Sequence, residues 1–213
     1  MDETEDAAGT QEAFDAPTLR FYAKNAPTYI ASGSNGASRH LQRFLDRLRP
    51  SARILELGCG GGRDAVAMLE RGFIVDATDG TPAIALKAEE RIGKPVRVMR
   101  FDQLDEVETY DAVWAHASLL HVPRAALSKT LERVHRALRP GGYHFASYKA
   151  GGVEGRDQFG RYFNYPDMAQ LLATYTSAAP WEIVETDDYF GGGYDRHGGP
   201  WIAVVARKMA PTG

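Results

Sequence analysis

Apolar segments of strand length alternate with helical patterns along most of this chain. Runs that suit buried strands occupy 54–57, 73–78, 96–100, 110–115, 143–148, 181–186 and 201–208. Between two of them, Leu127, Leu131, Val134 and Leu138 recur at the spacing of one helical face. Strand, helix and strand joined by short loops form right-handed parallel crossovers. The pattern predicts an α/β fold: a doubly wound, mostly parallel sheet with helices on both faces.

The first fifty residues depart from this alternation. Residues 1–16 are acidic and rich in alanine and glycine, which predicts a disordered tail. Pro27 and Gly33 interrupt the next segment, so we expect an aromatic arm packed on the core and not one helix. Apolar residues at helical spacing then predict a helix over about 38–49, which Pro50 ends.

Composition narrows the function classes. The 213 residues, 44% of them hydrophobic, suffice for one well-buried domain. A net charge of −3 gives no basic footprint for nucleic acid, so we expect a small partner. The single cysteine, Cys59, excludes an internal disulfide, and no run approaches the roughly 20 apolar residues of a membrane span. We therefore expect a cytoplasmic monomer or homodimer that binds neither nucleic acid nor membranes.

A glycine-rich turn follows the first predicted strand. Gly58, Gly60, Gly61 and Gly62 come directly after an apolar run, and a helix is predicted to begin at Arg63. Glycine lets the backbone take positive φ and approach a ligand, and a helix N-terminus presents free N–H groups. The dinucleotide pattern Gly-x-Gly-x-x-Gly fails in this register, because Arg63 occupies its third glycine position. The stretch predicts a cofactor-binding turn of another kind.

Two stretches resemble a known family. The pattern Glu56-x-Gly58-x-Gly60-x-Gly62 resembles the first motif of class I S-adenosylmethionine-dependent methyltransferases, in which the acidic residue anchors the turn. His-Ala-Ser-Leu-Leu-His-Val-Pro at 116–123, followed after a helix by Arg-Pro-Gly-Gly at 139–142, resembles small-molecule members, including tellurite-resistance-type enzymes. The resemblance implies S-adenosylmethionine as the cofactor. It also implies a seven-stranded sheet in the order 3-2-1-4-5-7-6 with the last strand antiparallel.

The same resemblance implies one methyltransferase domain over residues 17–208. Within it we expect an N-terminal arm and helix at 17–50, a cofactor-binding core at 51–148, and substrate-side loops with the last strands at 149–208. No internal repeat or second domain is visible in the sequence.

The predicted cofactor residues follow the ends of the strands. Asp79 ends the second strand, where a nucleotide-binding sheet places the acid that accepts from both ribose hydroxyls; the alternative is an acid at the start of the next helix. The resemblance implies an aromatic N-terminal segment over the sulfonium, whose charge an aromatic face attracts, and an acid, Asp102, at the adenine. An ordinary turn-forming aspartate is the alternative for Asp102. The predicted cofactor residues are Tyr22, Tyr29, Glu56, Gly58, Cys59, Gly60, Asp79, Gly80, Asp102, Gln103, Ala115 and His116.

Two polar and aromatic stretches, 149–166 and 189–200, predict the walls of a substrate site, since loops this long inside a compact domain are usually functional or disordered. The substrate candidates are Tyr148, Arg156, Arg161, Tyr162, Tyr165 and Arg196, with solvated charges and packed rings as the alternative. His121 is the candidate catalytic base if the acceptor must lose a proton; a histidine that holds its loop is the alternative. No metal site is predicted, because no acidic or cysteine cluster accompanies the two histidines.

Taken together, the sequence predicts methyl transfer from S-adenosylmethionine to an unidentified small-molecule acceptor by in-line displacement. The protein's task in such a reaction is alignment and exclusion of water. Two alternatives stay open: a non-catalytic S-adenosylmethionine-binding or regulatory protein, and a nicotinamide-dependent oxidoreductase on the same kind of sheet.

Overall fold

The computed structural model describes residues 13–33, 36–194 and 197–210. The helices are α1 (Ala16–Ser32), α2 (Leu41–Leu45), α3 (Arg63–Glu70), α4 (Pro82–Ile92), α5 (Arg124–Ala137) and α6 (Met168–Ala178). The strands are β1 (Arg53–Leu57), β2 (Ile74–Asp79), β3 (Arg97–Val98), β4 (Tyr110–Ala115), β5 (Leu138–Lys149), β6 (Gly155–Arg156), β7 (Tyr162–Phe163), β8 (Trp181–Gly191) and β9 (Gly199–Lys208). Short 3-10 turns occupy Phe101–Gln103 and Leu119–His121.

Seven strands form one sheet in the order β3-β2-β1-β4-β5-β9-β8, and β6 and β7 pair separately as a hairpin. Without that hairpin the order is 3-2-1-4-5-7-6, which confirms the prediction. Strands β1 to β5 pair in parallel, whereas β9 is antiparallel to both β5 and β8. The chain steps outward from β1 to β3 and then returns to β4 on the other side of β1. Ligands of open α/β sheets bind at the carboxyl ends of the strands beside such a reversal.

The core lies in two layers, one on each face of the sheet. Side chains of a strand point alternately to the two faces. In β4, Ala112 and Trp114 pack with residues of α2 and α3, while Val113 and Ala115 pack with residues of α5 and α6. This burial of both faces explains why the central strands are apolar at consecutive positions. No helix in the described ranges is long and apolar enough to cross a membrane.

The N-terminal arm differs from the sequence-based expectation, because α1 is one helix that runs through Pro27. Asp15 caps its first turn: its carboxylate accepts from the backbone N–H of Thr18 at 2.8 Å. A proline inside a helix leaves the carbonyl four residues earlier without its N–H partner. That carbonyl belongs to Ala23, and both Ala23 and Pro27 lie on the exposed side of α1, which is open to solvent. The interruption is therefore tolerated.

Three predicted boundaries also shift. The helix expected over 38–49 is a regular α-helix only in α2. On both sides of α2 the backbone hydrogen bonds join residues three apart, as in a 3-10 turn: the Leu41 N–H donates to the Ser38 carbonyl, and the Leu48 N–H donates to the Leu45 carbonyl. Strand β5 begins before the glycine pair, since its pairing with β4 resumes after a bulge at 139–142. The tail predicted over 1–16 lies mostly outside the described residues, but Asp15 caps α1 and Ala13 is buried in the core.

Candidate functional site

A deep cleft opens at the carboxyl ends of β1, β2 and β4, and α1 lies across it. It consists of two cavities, of about 660 and 1500 Å³. Both cavities are lined by Tyr22, Tyr29, Gly60 and His121, so the two cavities adjoin at these residues. The smaller cavity extends over the end of β2, and the larger one extends toward the β6–β7 hairpin and β9.

The glycine-rich turn forms the floor where the two cavities meet. Gly58 and Gly60 have φ angles of 74° and 53°, in the left-handed region that side chains other than glycine rarely adopt. A Cβ on Gly58 would lie 2.6 Å from the Cβ of Ser118, whereas a Cβ on Gly60 would face the Tyr29 hydroxyl at 3.5 Å. Gly58 thus permits packing against the loop after β4. Gly60 keeps the backbone accessible from the cleft.

Asp79 lies beside this turn, at the end of β2. One carboxylate oxygen accepts from the Gly60 N–H at 3.1 Å and the other from the Thr81 N–H at 2.9 Å. Burial raises the pKa of Asp79 to about 6, although these two hydrogen bonds act in the opposite direction. Asp79 therefore lines the cleft and also orders the backbone at the start of α4, and its contact with the ribose hydroxyls stays a prediction.

Glu56 lines the larger cavity and is almost fully buried. Burial raises the pKa of Glu56 well above its usual range, and the nearby carboxyl groups of Asp64 and Asp79 add to the effect. Among the residues that the structure describes, Glu56 Oε2 has no hydrogen-bond partner. A buried acceptor without a donor is costly, so this oxygen suits a cationic donor brought by a ligand.

The outer wall of the smaller cavity is apolar. It is formed by Leu19, Ile84, Met99 and Phe101, which line an apolar slot beside Gly80. Such a slot suits a planar heterocycle that carries few charges.

Three predicted cofactor residues do not line the cleft. Asp102 turns away and pairs with Arg100 at 3.0 Å, and the side chain of Gln103 accepts from the backbone N–H of Arg100 at 2.9 Å. The 3-10 turn that follows β3 causes this rotation and brings Phe101 to the wall instead.

Ala115 points into the core between the sheet and α5, and the cleft begins two residues later, at Ala117. Cys59 reaches the cleft with a buried thiol, whose pKa burial raises well above its usual range.

Helix α1 contributes Tyr22 and Tyr29, which lie on the same helical face seven residues apart. Their rings meet edge to face with centroids 4.9 Å apart, at the junction of the two cavities. The Tyr22 hydroxyl lies 2.9 Å from His121 Nε2 and accepts from Arg161 Nη1 at 3.1 Å. Tyr22 therefore fastens α1 to the loop after β4 and to the β6–β7 hairpin.

His121 is held at both ring nitrogens. Its Nδ1 lies 2.6 Å from the backbone oxygen of Tyr162, which only accepts, so Nδ1 carries the proton. Its Nε2 then accepts from the Tyr22 hydroxyl. Burial lowers the pKa of His121 to about 4, which keeps the ring neutral at pH 7. The side chain lines the cleft, but its hydrogen-bonding capacity is used within the protein.

His116 lines the larger cavity from the end of β4. Its ring is nearly parallel to the rings of Trp114 and Phe145, with centroids 6.0 and 6.3 Å away. Burial lowers the pKa of His116 to about 4. The imidazole is thus a neutral, stacked ring on the cleft wall.

Arg161 is buried at the far end of the larger cavity, where its guanidinium makes hydrogen bonds of 2.9 and 2.7 Å to Asp157. Five aromatic rings surround its Cζ at 5.1 to 5.7 Å. These rings belong to Phe21, Tyr22, Phe159, Phe163 and Tyr194. Cation–π contacts of this kind hold α1, the β6–β7 hairpin and the loop at Tyr194 together.

Four other substrate candidates, all within the described residues, do not line the cleft. Tyr148 is fully buried in the core, on the side of the sheet covered by α6. Arg156 pairs with Asp15 at 2.7 Å, and the Tyr162 hydroxyl bonds Glu154. Tyr165 stacks on Phe163 behind the wall. Arg196 lies outside the described residues.

Some cleft residues were not singled out from the sequence. Phe14 lines the smaller cavity although it falls in the predicted tail, and Lys149 and Trp201 line the larger one. Lys149 ends β5, and Trp201 is its partner in the β5–β9 register. The positions of Lys149 and Trp201 at the ends of strands could have indicated them from the sequence, because ligands of open α/β sheets bind at strand ends.

Comparisons with known proteins agree with this geometry. Residues 54–142 match the family described as "Methyltransferase domain". An uncharacterized methyltransferase of a Synechocystis species is 26% identical over 157 residues, which cover 71% of this chain and 70% of that protein.

Two solved structures share the fold. A protein of Methanosarcina mazei described as a S-adenosylmethionine-dependent methyltransferase superposes with a TM-score of 0.72 at 16% identity, covering 82% of this chain and 99% of that one. The 1,6-didemethyltoxoflavin-N1-methyltransferase of Burkholderia thailandensis, solved with its substrate and S-adenosylhomocysteine, superposes with a TM-score of 0.69 at 22% identity, covering 93% of each chain. With the domain match and the sheet order, these findings show that the chain is similar to S-adenosylmethionine-dependent methyltransferases and shares their fold.

Proposed function

We propose that this chain transfers the methyl group of S-adenosylmethionine to a small molecule that enters the larger cavity. The observation that carries this proposal is the division of the cleft into two unlike cavities that meet under Tyr22 and Tyr29. The smaller cavity offers the Asp79 carboxylate as an acceptor beside apolar side chains, which suits an adenosine. The larger one combines the glycine-rich turn with a separate polar and aromatic wall.

The residues of the cleft fit the parts of the cofactor. Asp79 is placed to accept from the ribose hydroxyls, and the slot formed by Ile84, Met99 and Phe101 takes the adenine. The unpartnered oxygen of Glu56 suits the ammonium group of the methionine part. The negative faces of Tyr22 and Tyr29 favour a sulfonium at the junction. The predicted roles of Asp102, Gln103 and Ala115 are not part of this proposal.

When bound, the cofactor supplies an electrophilic methyl group beside a good leaving thioether. The chain's own residues orient the acceptor in line with that group and exclude water from the junction, where α1 covers the cleft. A concave pocket that α1 partly covers favours a small acceptor over a protein or nucleic acid surface. The methyltransferase of Burkholderia thailandensis, which was solved with a small heterocyclic substrate, supports this choice. The narrower likeness to tellurite-resistance-type enzymes stays a prediction.

Calorimetric titration tests the proposal. Purified protein is titrated with S-adenosylhomocysteine and, in parallel, with NADH and NADPH. We expect binding of S-adenosylhomocysteine with a dissociation constant of about 10 μM or tighter and no heat from either nicotinamide nucleotide. Binding of a nicotinamide nucleotide alone would establish the oxidoreductase alternative. S-adenosylhomocysteine binding without turnover across a broad acceptor panel would support the regulatory alternative.

A further inference from the structure

Two histidines line the larger cavity, and their ring nitrogens are used differently. Both nitrogens of His121 are occupied, by the Tyr22 hydroxyl and the Tyr162 backbone oxygen. To take a proton from an acceptor, His121 would first have to release Tyr22, which also bonds Arg161. That release would break the contact that fastens α1 across the cleft.

His116 is free of such ties. In the part of the chain that the structure describes, its imidazole has no hydrogen-bond partner, and its fixed contacts are the stacked rings of Trp114 and Phe145. The ring is partly exposed, on the cavity wall. Stacking fixes the plane of the imidazole while its nitrogen edge stays available to a ligand.

Charged groups around His116 come from two elements packed against it. Asp64 at the start of α3 is the neighbouring anion, and Arg63 and His40 are the neighbouring titratable cations. The carboxylate oxygens of Asp64 already accept from the Ser38 N–H and hydroxyl and from the Trp114 indole N–H, at 2.7 to 2.9 Å. Asp64 therefore stabilises a positive imidazole by its charge, without itself competing for the ring proton.

We propose that His116 accepts the proton of the methyl acceptor, and that the acceptor is a planar molecule whose nucleophile is an ionisable O–H or N–H group. The inference rests on the proposed function and names the acceptor class of that same site. A planar molecule fits because Phe163, Tyr194 and Trp201 line the same cavity, and aromatic walls favour ring-shaped ligands. His121 is then a positioning residue that holds Tyr22 and α1.

The step balances as follows. The acceptor oxygen or nitrogen gives its proton to a ring nitrogen of His116 and uses the freed electron pair to bond the methyl carbon. The electron pair of the broken carbon–sulfur bond stays on sulfur, so the cofactor leaves as neutral thioether and His116 becomes an imidazolium. Burial lowers the pKa of His116, so the imidazolium gives its proton to water when the product leaves.

Chemical labelling tests the placement of His116 without any turnover. Diethyl pyrocarbonate acylates unprotonated imidazole nitrogens that it can reach, and mass spectrometry assigns each labelled histidine. We expect His116 to be labelled and His121 to be spared. Saturating S-adenosylhomocysteine should slow labelling of His116 by less than about tenfold, because the proposal assigns this ring to the acceptor instead of the cofactor contact that the sequence predicted. Unlabelled His116, or protection of tenfold or more, overturns the proposal.

Phenols of graded acidity test the proton transfer. His116→Phe keeps a ring for the stack on Trp114 and Phe145 but has no nitrogen. We expect this variant to lower kcat about 100-fold for phenol and to change it little for 4-nitrophenol, which is ionised in solution at about pH 8. His121→Phe should lower kcat for both phenols alike. Equal losses for both phenols in the His116 variant contradict the proposal.

The two proposals fail separately. If S-adenosylhomocysteine does not bind, the proposed function is wrong. If it binds but shields His116, only the role of His116 is wrong. The labelling result decides the second question even for a wild-type protein that methylates no phenol.

Discussion

At the scale of single residues, Asp79 is the side chain to which the proposed function assigns the ribose contact. Its carboxylate is preordered by two backbone N–H groups and lies on the wall of the smaller cavity. Asp102 is a matched control, because it is an acid close to the same cavity whose partner is Arg100.

The first prediction follows from this difference. Asp79→Asn should weaken S-adenosylhomocysteine binding by about 1.5 to 3 kcal/mol, since an amide cannot replace a carboxylate that accepts charge-assisted bonds from two hydroxyls. Asp102→Asn should leave the affinity unchanged. Titration calorimetry measures both. An equal loss in the two variants would move the ribose contact away from Asp79.

The pKa of Asp79 gives a second prediction. In the free protein burial raises this pKa to about 6, and ribose hydroxyls donate better to the ionised carboxylate. Binding therefore favours the deprotonated form and releases a proton. Affinity for S-adenosylhomocysteine should be constant above about pH 7 and should fall as the pH drops through 6. The Asp79→Asn variant should lack this dependence. A pH profile that is the same in both proteins would assign it to another group.

At the scale of elements, α1 is the part of the fold that brings the cleft together. It supplies Tyr22 and Tyr29 to the junction, and its first turn is bound to the β6–β7 hairpin through the Tyr162 N–H, which donates to Thr18 Oγ1 at 2.8 Å. Its one irregular feature is Pro27.

Removing that proline gives the third prediction. Pro27→Ala restores an N–H that can bond the exposed carbonyl of Ala23, so the free energy of unfolding should rise by about 1 to 2 kcal/mol after allowance for the more flexible unfolded chain. Pro82→Ala is the matched control. Pro82 begins α4, where the first N–H groups have no partner within the helix, and little change is expected. Denaturant unfolding measures both, and a loss of stability in Pro27→Ala would mean that α1 needs its proline.

At the scale of the whole molecule, the cleft lies at the carboxyl ends of the strands, and α1 covers the cleft. Helix α5 packs against the sheet, away from the cleft. The fourth prediction concerns this asymmetry. S-adenosylhomocysteine should slow amide hydrogen exchange in α1 and in the 58–62 turn, because the ligand stabilises only the closed arrangement of these segments. Exchange in α5 should slow much less. Equal protection of α1 and α5 would indicate global stabilisation without a role for α1 as a cover.

What the sequence determined by itself is local. The strand runs, the helical spacings and the left-handed glycines of the turn depend on neighbours within a few residues, so the α/β class and the position of Asp79 at a strand end could be predicted from them. The sheet order was predicted from the resemblance to methyltransferases. The resemblance to methyltransferases rested on the same short motifs.

Only the tertiary structure decided which side chains face the cleft. His121 is hydrogen-bonded to Tyr22, which lies 99 residues away along the chain. Arg161 donates a hydrogen bond to the same Tyr22 hydroxyl, from 139 residues away along the chain. Tyr148 is buried in the core because of packing between distant segments that no local pattern encodes. Likewise α1 remains one helix through Pro27 because its other face is held by the rest of the fold. Contacts between distant segments set these outcomes, and a local sequence pattern carries no information about them.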